Sequence, residues 1–151
     1  MRLGSIVRPI LGELAAATGL EAIYLTRITW HDHQQEILAS LNVAPDRLFI
    51  PEQVKLDYSD AVCRYVIEGM APDHSDDVPV AYPDSDVARF LRFQTFVSAP
   101  VELPGGELFG TLCGASTRRV ALQPAQVAAI RREARRIAGC LTDAGEPSLT
   151  D

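Results

Sequence analysis

The sequence predicts an α+β fold in which helices are layered on a mainly antiparallel sheet. Hydrophobic periodicity alternates along the chain between a helical and a strand-like repeat, in the order helix, two strands, helix, short strand, short helix, two strands, helix. Two pairs of strand-like runs are joined by connections too short for a crossover, so neighbouring strands pair as hairpins. Helical patterns gather at both ends of the chain, which disfavours a doubly wound nucleotide fold. At 151 residues the chain has the length of one ordinary domain. Residues 1–141 are expected to form it, with 142–151 a flexible polar tail.

Each element has a local cause. Ile6, Ile10, Leu11, Leu14 and Ala15 follow helical spacing between Ser5 and Thr18, with Gly19 as the stop and Pro9 expected in the first turn. Glu21 to Trp30 is rich in β-branched and aromatic residues, Glu36 to Leu41 is a second apolar run, and the polar HDHQQ between them is a turn. Asn42 to Leu56, carrying Pro45 and Pro51, reads as a loop crossing a sheet face. Asp57 to Gly69 is helical, with Val62, Cys63, Val66 and Ile67 on one stripe. Asp76 to Val78 is expected as a short strand, and Asp84 or Ser85 as the cap of a brief helix carrying Val87, Phe90 and Leu91. QTFVSAPVEL and ELFGTLCGAS form a hairpin around Pro104, Gly105 and Gly106, with Pro100 marking a bulge or an unpaired position. Pro124 opens a last helix to about Leu141, its apolar seam flanked by Arg131, Arg132, Arg135 and Arg136.

Composition narrows the function. Twenty acidic against 14 basic residues give a net charge of −6, which repels phosphate backbones and argues against nucleic acid. Lys55 is the lone lysine, which removes most candidates for a Schiff-base or P-loop lysine. Gly105 and Gly110 have P-loop spacing, but Thr111 stands in the lysine position and a strand follows. Three widely spaced cysteines, Cys63, Cys113 and Cys140, fit a reduced cytosol and no zinc motif. No run approaches the ~20 apolar residues of a membrane span, and no signal peptide is present, so a cytoplasmic location without membrane contact is expected. His74, Asp76 and Asp77, with Asp73 and Asp84 nearby, match neither an EF-hand nor a zinc pattern and read as a solvated acidic loop.

The stretches DYSDAVCRYVIEGM, SDDVPV, DSDVARFLRFQTFVSAPVELPGGELFGTLCGAS and LQPAQVAAIRREARRIAGCL resemble GAF domains of bacterial signalling proteins. The sharpest part is the order of short helix, Ser-Ala-Pro-Val strand, Gly-Gly hairpin and Gly-Thr-Leu strand. The resemblance implies a GAF-like, profilin- or PAS-like sheet of about five to six strands, with the terminal helices on one face and a ligand pocket on the other. It implies a pocket drawn from Phe49, Tyr58, Cys63, Val66, Asp76, Asp77, Phe96, Ser98 and Cys113. The terminal helices, through Ile10, Leu14, Val127, Ile130 and Ile137, become the expected homodimer contact and signal relay.

The chemical subclasses of that family leave the cofactor unknown. Cyclic-nucleotide-binding members carry Asn-Lys and Asp-Glu signatures, and neither dipeptide occurs here. Bilin-binding members attach the pigment to a cysteine commonly followed by histidine, whereas Cys63, Cys113 and Cys140 precede Arg64, Gly114 and Leu141. Haem needs an inward histidine; His31 and His33 fall in a turn, leaving only His74 near the pocket. The expectation is therefore a non-enzymatic sensor of an unidentified small molecule, with a downstream signalling domain as its candidate partner. One alternative is a thiol-dependent reductase resembling free methionine sulfoxide reductases, with Cys63 or Cys113 as nucleophile. A second is an interaction module whose pocket is collapsed around Ser98, Ala99, Gly114 and Ala115.

Overall fold

The computed structural model describes residues 3–144. Helix α1 (Leu3–Thr18) leads into a hairpin of β1 (Ala22–Thr29) and β2 (Gln34–Asn42), followed by β3 (Lys55–Asp57) and a 3-10 turn (Tyr58–Asp60). Short helix α2 (Cys63–Ile67), two-residue strand β4 (His74–Ser75), α3 (Val78–Ala81) and α4 (Asp86–Phe90) come next. The hairpin β5 (Thr95–Glu102) and β6 (Leu108–Ser116) and the long helix α5 (Pro124–Ala144) complete the order. The six strands form one sheet in the order β3-β2-β1-β6-β5-β4, every neighbouring pair antiparallel.

Period-two alternation sends successive side chains of this sheet to two separate cores. Ile23 and Leu25 of β1, Val97, Ala99 and Val101 of β5 and Leu112 of β6 meet α1 and α5 on one face. Ala22, Tyr24, Phe96, Cys113 and Ala115 face the loops and short helices on the other. The terminal helices therefore share one face. They are tied together where Gln126 Nε2 donates to the Ala17 carbonyl (3.0 Å), while Gln126 Oε1 caps the Gln123 N–H (2.6 Å).

Ile10, Leu14, Val127, Ile130 and Ile137 are all buried against the sheet within one chain. This corrects their expected role as dimer contacts: an apolar seam consumed by its own sheet has no surface left for a second copy. Pro9 lies inside α1 rather than in its first turn, because the helix begins earlier, at the buried Leu3. The interior-proline penalty of ~3 kcal/mol is offset by tertiary burial of Leu3 and Val7.

Other boundaries also move. The expected Asp57–Gly69 helix is β3, a 3-10 turn and only five residues of α helix. The strand expected at Asp76–Val78 lies instead at His74–Ser75, because Ser75 Oγ accepts the Asp77 N–H (2.9 Å) and turns the chain into α3. Ser85 caps α4 by accepting the Ala88 N–H (3.1 Å). Pro100 stays in register with Thr111, and the register shift falls one residue later, between Val101 and Glu102. The proline is tolerated because β4 pairs only with Phe96 and Val97, so no strand lies beside it to need its missing N–H. Helix α5 runs to Ala144, so 142–144 are helical rather than tail, and the remaining expected tail lies outside the described residues.

Candidate functional site

Between the sheet and the short helices lies a hollow of about 200 Å³. Its floor is Tyr24 of β1, Gln35 and Ile37 of β2 and Cys113 of β6. One wall is the incoming loop and β3, through Ile50, Pro51, Val54 and Leu56, and the other is Ala61, Val62 and Cys63 at the start of α2. Val87, Leu91 and Phe93 around α4 close the top. Strand register explains the floor: Tyr24 stands opposite Cys113, so two side chains of one face meet across β1 and β6.

The walling loop is held by specific bonds. Asn42 clamps the Ile50 backbone twice, its Oδ1 accepting the Ile50 N–H (2.8 Å) and its Nδ2 donating to the Ile50 carbonyl (3.1 Å). Ser40 Oγ donates to the same carbonyl (2.6 Å). Two residues on, Glu52 accepts the Ser40 N–H (2.8 Å) and takes a two-pronged contact from Arg8 of α1, at 2.7 and 3.2 Å. The Arg8 hydrogen bond holds the Glu52 carboxyl below its usual range. A segment that walls the hollow is thereby fastened to a terminal helix.

No lining residue carries a formal charge. Gln35 Nε2 donates to Cys63 Sγ (3.1 Å), while the Cys113 thiol contacts Thr111 Oγ1 (3.2 Å) and Ser98 Oγ (3.5 Å). Thr26 and Thr111 share a hydroxyl–hydroxyl bond of 2.7 Å beneath them. Burial pushes the Cys113 thiol up to about 11 and the Cys63 thiol higher still, with the neighbouring Cys113 adding to the latter. Tyr24 is likewise pushed well above the ordinary phenol range, first by burial and then by the two nearby sulfurs. Every titratable group here is neutral near pH 7.

Of the expected ligand residues, Cys63 and Cys113 come together at this hollow. Phe49 does not: it is 56% exposed, because the clamped loop alternates and turns Leu48 and Ile50 inward instead. Tyr58 is buried beside Trp30 (ring centroids 5.1 Å apart) and outside the lining. Phe96 is sealed beneath α3 and α4 by Tyr82 (5.5 Å) and Phe93 (5.9 Å). Val66 and Ser98 line a different groove, under the β5–β6 hairpin. Asp76 and Asp77 sit at the sheet edge, where the Asp76 carbonyl accepts from Arg119 Nε (3.0 Å) and the Asp77 carboxylate lies 3.5 Å from the same guanidinium.

The small residues suspected of collapsing the pocket are split between faces, Ala99 packing toward the helices and Ala115 toward the hollow's side. His74 is exposed and bonded to Asp73 (2.8 Å). Among the described residues, no group of three or more His, Cys, Asp or Glu side chains could hold a metal ion. Likewise, no described helix is long and apolar enough to cross a membrane. Gln35, Tyr24 and Ile37 are lining residues that pattern reading passed over. Gln35 falls in the polar HDHQQ stretch expected as a turn, but β2 begins at Gln34 and turns Gln35 toward the hollow.

No family model matches the sequence. A curated relative, diguanylate cyclase DgcP of Escherichia coli (strain K12), is 34% identical over 117 residues. The match covers 78% of this chain and 33% of that protein, so the chain spans about a third of its relative's length. Among solved structures, the phycocyanobilin-bound GAF domain of a cyanobacterial phytochrome superposes with a TM-score of 0.78 at 14% identity, covering 95% of this chain and 86% of that one. The GAF domain of an Acinetobacter phosphoenolpyruvate-protein phosphotransferase gives 0.74 at 13%, covering 95% and 84%. A type II free methionine-R-sulfoxide reductase from Thermoplasma acidophilum gives 0.69 at 16%, covering 93% of both chains. With its six-stranded antiparallel sheet, helices α1 and α5 sharing one face and a hollow under the other, this chain has the GAF fold.

Proposed function

We propose that this GAF domain is a sensory module: a small molecule enters the hollow and changes how α1 and α5 are held. The observation that carries this reading is the Glu52–Arg8 contact, which joins the segment walling the hollow to the helix on the far face. A guest that favours one position of residues 50–54 then favours one setting of α1, which is differential affinity converted into a packing change. The relative's much greater length supports placing the module as the regulatory portion of a larger signalling protein.

Pairing of two copies through the terminal helices has only their outward surfaces to use, such as Ala16 and Ala17 on α1 and Ala125 and Ala128 on α5. Light scattering over a concentration series tests it, and a monomer throughout rejects it. The thiol-reductase reading is the weaker one, because Cys63 and Cys113 are both buried and kept protonated, the reverse of an activated nucleophile. Native mass spectrometry of freshly purified protein, with an absorption spectrum, tests the sensory reading. A retained or added small molecule is expected at one per chain, whereas sulfoxide reduction coupled to NADPH consumption would replace this reading with the enzymatic one.

A further inference from the structure

Resting on that reading of the hollow, we infer that its guest is a neutral, mainly apolar molecule carrying one hydrogen-bonding group, which the Gln35 amide receives. Three observations lead there. The first is charge: none of the lining side chains is ionic, and the two thiols and the phenol at the floor are held neutral by burial. An anion or cation entering this space would lose its hydration with no counter-charge to replace it, a cost far larger than the packing of a small guest returns. Cyclic nucleotides, carboxylates and amines are disfavoured on this ground.

The second is size. A closed apolar cavity of ~150 Å³ admits benzene. The hollow's volume of about 200 Å³ therefore suits a single ring, or an aliphatic chain of like bulk, with one small substituent. The third is an amide with capacity to spare. Gln35 is only 4% exposed, yet among the described residues its side chain makes a single hydrogen bond, to the sulfur of Cys63. Sulfur is a weak partner, and an amide offers two donors and an acceptor. Most of that capacity faces an otherwise apolar space, which is how a binding site fixes a guest's orientation.

The test uses three probes of nearly one shape: benzamide, benzoate and α-methylstyrene, titrated against the intact protein while backbone amide shifts are followed by NMR. Benzamide is expected to move the resonances of Gln35, Ile37 and Cys113, with benzoate weaker by on the order of tenfold or more. In Gln35→Met the preference for benzamide over α-methylstyrene should vanish while α-methylstyrene still binds. If that variant does not fold, the ranking of the three probes on the unaltered protein decides. Benzoate binding at the hollow as well as benzamide, or better, overturns the neutral-guest inference but leaves the hollow as a ligand site. Absence of any shift at those residues with all three probes and with xenon overturns both.

Discussion

The Gly110 backbone passes so close to β1 that a Cβ there would collide with the Thr26 carbonyl, a rigid backbone atom. Gly110→Ala is expected to cost at least the upper end of the ~1–3 kcal/mol typical of overpacking, read from urea denaturation. At Gly114 the nearest obstacles to a Cβ are the ends of flexible side chains, Leu20 Cδ1 at 2.5 Å and Ile23 Cδ1 at 3.1 Å, so Gly114→Ala should cost less, ~1–2 kcal/mol. With Cys63 and Cys113 buried and Cys140 partly exposed, iodoacetamide at neutral pH should label Cys140 first, as peptide mapping would read, and prior labelling of Cys63 would contradict the buried assignment. Cys63 and Cys113 were legible in the sequence because each sits inside an apolar stripe. Gln35 was not, since a glutamine beside a polar turn carries no periodic signal until the strand's true start is known. Phe49 misled for the opposite reason: a large apolar side chain reads as inward unless the clamp from Asn42 to Ile50 fixes the phase of the loop.

At the level of elements, two ion pairs connect the loop side of the sheet to the terminal helices: Glu52 with Arg8 of α1, and Asp73 with Arg131 of α5. Burial raises the Asp73 carboxyl, but hydrogen bonds from Arg131 and His74 outweigh it and leave the group below its usual range. Glu52 is lowered chiefly by Arg8. For an acid whose folded pKa is depressed, the stabilisation is fully present above the unfolded value, here 4.5 for Glu52, and is lost as pH falls through the folded one. Arg8→Ala should therefore destabilise near neutral pH by ~0.2–1 kcal/mol, the range for an exposed pair, and the difference from the unaltered protein should shrink below about pH 4. Denaturant midpoints across pH measure it, and a constant difference would assign the effect to packing of the arginine stem. The elements most readable from sequence were α1, α5 and the two hairpins, where repeats of 3.6 or 2 run long enough to outvote local accidents. Within residues 57–93 only α4 was readable, from the Ser85 cap; the bounds of α2, β4 and α3 were not, because helices of four or five residues take their order from what they cover rather than from their own repeat.

Across the whole molecule, the sheet separates two cores that touch only through its strands, so the helix-side core has no direct view of the hollow. A signal crossing from one face to the other must bend the sheet or go around its edge. Bending is opposed by close packing of α1 and α5 on the helix face, whereas the edge route exists as a pair of named side chains, with β3 and its preceding loop wrapped from Val54 back to Glu52 and Arg8. The two routes make different predictions for one experiment. With benzamide bound, amide exchange should slow at residues 48–56 and also along α1 near Arg8 in the unaltered protein. In Glu52→Gln, which keeps the shape and removes the charge, exchange should still slow at 48–56, while the effect on α1 should fall away. Equal slowing of α1 in both proteins would assign the coupling to the sheet itself, and β1, which contributes Tyr24 to the hollow and Ile23 and Leu25 to the helix side, would then be the element that carries it.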